Sequence, residues 1–161
     1  MQPEEFLVLV APLGLAIAGF AGLVGAFHHE SAWTDQAFVR LQSLVIAAFA
    51  MTFFALWPLI LLFAKVDPPE VWRLGSAFML LYHVQILIRR GRALRRAGLR
   101  LRDLVRWYVA VLVYPLQVVH LLNVLLWASF AAYAAGIIVQ LWIASAFFYG
   151  FVLDARRRPA R

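Results

Sequence analysis

Between Trp107 and Leu153 the chain runs for 47 residues without a single Asp, Glu, Lys or Arg. One helix cannot hold such a run in a bilayer: at 1.5 Å per residue it would reach about 70 Å, against a hydrocarbon core of roughly 30 Å. The run must fold back on itself in an apolar medium. Small residues in "WASFAAYAAG", Trp127 to Gly136, mark the expected turn, with Trp127 and Tyr133 expected at the membrane interface. Two spans are predicted here, 107–127 and 133–153.

The preceding half of the chain has the same character. Residues 6–27 are 22 uncharged positions, the length of a membrane-crossing helix. A second span is predicted over 41–64, bracketed by Arg40 and Lys65 with a kink at Pro58. The punctuation "KVDPPE" then opens a third over 71–88, closed by Arg89 and Arg90. At 65% hydrophobic and 14% charged, with a mean hydropathy of +0.82, the chain holds more apolar side chain than one small soluble core can bury. The acidic start "MQPEEF" and the length of the first run argue against a secretory leader, so the first span is expected to be retained. The predicted fold is all-α: a polytopic transmembrane helical bundle of five spans, one transmembrane domain over 1–161.

Charge supplies the orientation. The chain carries a formal +7, and its basic residues sit mainly in a segment at 89–106 and a tail at 154–161. The segment contains Arg89, Arg90, Arg92 and Arg95, followed by Arg96, Arg100, Arg102 and Arg106. Placing it in the cytoplasm puts 13 basic residues inside and leaves only Lys65 and Arg73 outside, as the positive-inside rule requires. The N-terminus is then expected outside and the C-terminus in the cytoplasm. Leu87, Leu94 and Leu101 recur every seven residues, which fits an amphipathic segment whose arginines meet anionic headgroups or dock a partner. Gly91 and Gly98 weaken its helical character. A nucleic-acid arm is not expected, because no aromatic residue is interleaved before Trp107.

Polar residues inside spans are costly, and each raises a functional question. Gln117, His120 and Asn123 follow at three-residue steps and form a polar stripe on span four. On span three, Ser76 and His83 share a face with Arg73, which is placed to pair with Glu70. These five, Gln117, His120, Asn123, His83 and Ser76, are the candidate pore-lining or ligand-lining residues. The competing reading is that they only bond neighbouring helices together. Gln140 and Ser145 are the polar residues of span five. In span one, Gly14, Ala18, Gly22 and Ala26 form a small-residue face for close helix packing, within the chain or between copies.

Other chemistry finds less support. The absence of cysteine removes disulfides and thiolate metal sites, no metal site is assigned, and no cofactor is expected. Paired histidine ligation of a haem is a minor reading. With span three ending near Ile88 and span four starting near Trp107, His83 falls about 8 Å deep and His120 about 20 Å deep, too unequal for two axial ligands. His28 matches the depth of His83 better. His28 and His29 diverge by about 100° on a helix, which argues against a cluster with Glu30. No carboxylate falls within a span and no nucleophile triad or phosphate loop is present, so no catalytic residue is assigned and an enzyme is not expected.

"AGFAGLVGAF" in span one, "FFALWPLILL" in span two and "VWRLGS" opening span three resemble small, uncharacterised bacterial multi-span membrane proteins. The resemblance covers about the first half of the chain and implies residence in a bacterial inner membrane. Two function classes are expected. The first is a homo-oligomeric channel or small-solute carrier that uses the polar face of span four. The second is a non-catalytic accessory or scaffold subunit of a larger membrane complex, with a haem-binding anchor as a minor third. A hydrated stripe favours the first and a stripe buried against helices the second.

Overall fold

The computed structural model describes residues 2–27, 35–96 and 107–156, and every element among them is helical. The helices are α1 (Pro3–Phe27), α2 (Asp35–Phe63), α3 (Pro68–Arg96), α4 (Trp107–Leu122) and α5 (Phe130–Arg156), with a π-helical turn, Asn123–Trp127, continuing α4. Stretches Pro3–Ala26, Leu41–Phe63, Pro68–Arg89 and Phe130–Tyr149 are each long and apolar enough to cross a membrane, and Val113–Trp127 is a shorter apolar stretch. This composition fits an integral membrane protein. Five helices match the expected number; four of them have the length and apolarity of a span.

The chain divides into two compact units, Met1–Leu59 with Gln140–Arg161, and Ile60–Val139. In the first, the small residues of α1 allow α2 to approach. A Cβ on Gly14 would run into the Thr52 hydroxyl and, at 2.7 Å, the Ala48 carbonyl oxygen. The same hydroxyl lies 3.2 Å from the carbonyl oxygens of Ala11 and Ala48, a donor shared between two helices. Ala18 is buried, whereas Gly22 and Ala26 are exposed, so the predicted small-residue face is only half used in packing here. Ala21, Leu44, Ala47 and Ala144 form the adjoining core, and Gln140 donates to the Ala47 carbonyl at 3.3 Å. Ser145 donates back to Leu141 of its own helix at 2.9 Å.

The second unit begins in the last turn of α2. Lys65 takes the left-handed conformation at φ 59°, its N–H donates to Leu62 and the Val66 N–H to Leu61, so the last carbonyls of α2 are satisfied by a Schellman closure. Pro68 and Pro69 then start α3, where a missing N–H costs nothing, and the Asp67 carbonyl accepts from Glu70 and Val71. Arg73 pairs with Glu70 as expected, on the exposed side. Contacts from Ser76 to Asn123 and from His83 to His120 run in opposite senses along the two chains, so α3 and α4 are antiparallel.

Two boundaries and one side-chain placement differ from the sequence expectation. Helix α3 does not end at Ile88 but continues through Arg96, so the first part of the basic segment, including exposed Arg89 and Arg92, is a direct extension of α3 across Gly91. Backbone hydrogen bonding does not need to stop where apolar side chains stop, because arginine stems cover the rim while their heads reach water. Arg100, Arg102, Arg106 and Leu101 lie outside the described residues, as does His28. The turn before α5 falls at Ala128 and Ser129, with Ala128 left-handed at φ 47°, so α5 starts at Phe130 and not at 133. Finally, Tyr133 is fully buried and not interfacial: its ring lies over Gly75, where a Cβ would come within 2.6 Å of it, and beside Trp72 at 5.9 Å.

Candidate functional site

The polar residues of α3 and α4 meet in two layers, and both lie within the second unit. The first layer is built on Asn123, the residue at which α4 widens into the π-helical turn. Its Nδ2 donates to Ser76 Oγ at 2.7 Å and, at a longer 3.5 Å, to the Trp72 carbonyl. Its Oδ1 accepts the Ser129 N–H at 2.7 Å, and its own carbonyl accepts the Ala128 N–H at 3.0 Å. One side chain thus joins α3, closes the π turn and fixes the reversal into α5. Asn123 and Ser76 are both fully buried.

The second layer lies seven residues further along α3. His83 and His120 are buried with ring centroids 6.4 Å apart and planes within 17°. This overturns the depth difference derived from the sequence. Thirteen residues separate His83 from the end of α3 at Arg96, and thirteen separate the start of α4 at Trp107 from His120. Measured from those helix ends each histidine lies about 20 Å along its helix. The expected inequality came from counting depth from Ile88 and Trp107 as if they stood at one level, whereas the two rings stand side by side. Tyr82 adds an edge to the His83 ring at 5.3 Å.

His120 is fully buried, yet neither of its ring nitrogens has a hydrogen-bond partner among the described residues. Its imidazole rests on the bare face of Gly136, where a Cβ would overlap Cε1, lie 2.5 Å from Nε2 and lie 2.8 Å from the sulfur of Met79. Glycine is required there because α5 approaches too closely for any side chain. Met79 is itself fully buried and precedes His83 by four residues, which places the two on one face of α3. Sequence reasoning passed over Met79 and Gly136. A methionine in an apolar run reads as filler, although a Met and a His four residues apart in a membrane helix are a legible pair.

Gln117, the remaining member of the predicted stripe, is only half-buried and is hydrogen-bonded to neither layer among the described residues. Its Nε2 donates to Val113 of its own helix at 3.1 Å, and its Oε1 is buried with no partner among the described residues. The structure therefore unites four of the five candidate lining residues in two pairs, Asn123 with Ser76 and His120 with His83, and leaves Gln117 outside them. No group of three or more His, Cys, Asp or Glu side chains occurs among the described residues. Compared with family models, curated proteins and solved structures, the chain matches none of them.

Proposed function

We propose that this integral membrane protein is a non-catalytic accessory or scaffold subunit of a larger membrane complex, resident in a bacterial inner membrane with its arginine-rich segment on the cytoplasmic side. One observation carries the reading: Asn123 of the polar stripe and Ser76 of the facing helix are buried and bond to each other and to backbone. A solute path would need those groups facing water. The helices instead turn large apolar side chains outward, among them Leu9, Phe20, Phe49, Ile60, Leu81 and Leu125, a surface that suits lipid or an apolar partner helix. Exposed Arg89 and Arg92 at the far end of α3 suit anionic headgroups or an acidic peripheral partner.

The channel or carrier reading depends on a hydrated stripe, and the haem reading on room for a macrocycle. Against the second, Gly136 and Met79 already fill the space around His120. Two measurements test the proposal together. Reconstituted in liposomes, folded protein is expected to give no ion flux above empty vesicles. Solubilised gently from its own membrane, the tagged chain is expected to migrate in an assembly larger than any homo-oligomer it forms when purified alone. Flux that is lost in His120→Ala would replace this reading with the transport one.

A further inference from the structure

The buried polar atoms of the second layer are not explained by an accessory role, and they converge. Nε2 of His120 and the sulfur of Met79 both lie against the same small patch of Gly136, and His83 presents a nearly parallel imidazole with its centroid 6.4 Å from that of His120. Nε2 and the sulfur thus converge on one point, and rotation of the stacked His83 ring, one helical turn from Met79, brings an in-plane nitrogen toward an ion held there. We propose that His83, His120 and Met79 form a binding site for a soft monovalent metal ion, Cu(I), with Ag(I) as its substitute.

The ligand set and its surroundings select the ion. A thioether is a soft donor that favours Cu(I), and imidazole suits copper as well. A charged ion in an apolar interior carries a solvation penalty that grows with the square of its charge, so a dication costs about four times as much as a monovalent ion of similar size. Zn(II) sites offset that cost with thiolates or carboxylates or with further histidines. Here the chain has no cysteine, and no group of three His, Cys, Asp or Glu side chains occurs among the described residues. A full set of three neutral donors suits an ion of low charge and low coordination number. The helices supply the geometry: α3 carries Met79 and His83 on one face, antiparallel α4 brings His120 opposite, and Gly136 of α5 keeps the third side free of a side chain. The ordinary alternative is a packed core histidine, which would be expected to have at least one ring nitrogen bonded. His120 has neither bonded among the described residues.

The experiment is an anaerobic titration of the full chain in lipid nanodiscs, with Cu(I) held by the chromophoric chelator bicinchoninate, followed by X-ray absorption at the copper edge. The expected result is one Cu(I) withdrawn per chain, with nitrogen scatterers and one sulfur at about 2.3 Å. Met79→Leu, nearly the same volume, is expected to keep the helical circular dichroism, lose the sulfur shell and bind at least tenfold more weakly. His120→Leu is expected to lose stoichiometric binding. Each of three results overturns the site: folded wild-type protein that withdraws no Cu(I), a copper shell without sulfur, or both variants binding as tightly as wild type. Preference for Zn(II) over Cu(I) overturns the assignment of the ion. Because the readout is metal binding, a failure here is distinct from a failure of the assembly role.

Discussion

Two polar layers lie seven residues apart on the same face of α3, and they differ in what their side chains touch. At Ser76 and Asn123 every side-chain polar atom has a protein partner: the two side chains bond each other, and Asn123 also bonds the Ser129 N–H and the Trp72 carbonyl. At His120 two buried nitrogens have no partner among the described residues, although the ring is packed on all the sides that Gly136, Met79 and His83 supply. The first layer does structural work that can be traced bond by bond. The second retains unbonded donor capacity in a place where leaving it unbonded costs stability. The contrast separates glue from site within what sequence alone presents as one stripe.

Substitutions break this comparison at graded strengths. The largest effect is expected where both layers depend on close approach to α5. Gly136→Leu or Gly75→Leu forces a side chain into the His120 or Tyr133 ring and is expected to cost at least about 3 kcal/mol or to prevent folding, read as loss of the cooperative thermal transition in nanodiscs. Next comes Asn123→Leu, which removes the bonds to Ser76 and Ser129 and is expected to cost about 1–2 kcal/mol in a chemical denaturation series. Restoring a polar match with Asn123→Asp would not rescue it, since Ser129 keeps an acceptor while the donation to the Trp72 carbonyl is lost. The smallest effect is expected for Glu70→Gln, which breaks a half-exposed ion pair with Arg73 on the outer side of the same helix, at less than about 0.5 kcal/mol. Stability that fell as much for Glu70→Gln as for Asn123→Leu would remove the special status of the first layer.

The sequence made the helices legible because membrane spans are written as long uncharged runs, and each such run falls on a helix, although α2 starts at Asp35 and α3 runs on to Arg96, outside the apolar stretches. It made the polar residues legible too, since Asn, His and Ser stand out in such runs. What spacing along one helix does not carry is the partner on another. The pairing of Asn123 with Ser76 depends on the register between α3 and α4, which the spacing along either helix does not fix. Arg89 and Arg90 close the apolar stretch where the third span was expected to end, while the helix itself runs on to Arg96, and depths counted from Ile88 and Trp107 do not carry the side-by-side placing of the two histidines. Tyr133 shows the same limit from the other side: an aromatic near a turn suits an interface, but Gly75 opens a slot for it that lies 58 residues away in sequence. Methionine 79 was hidden by being apolar.

The most direct measurement compares His120→Leu with Asn123→Leu in metal-free protein, by equilibrium unfolding in the same nanodiscs. Replacing a buried unbonded imidazole with an apolar side chain of similar size relieves an unmet desolvation cost, whereas replacing a fully bonded amide leaves partners stranded. The expected result is that His120→Leu is as stable as wild type or more so, while Asn123→Leu is clearly less stable. Equal destabilisation of the two would show that both layers are packing, and would contradict the division between them.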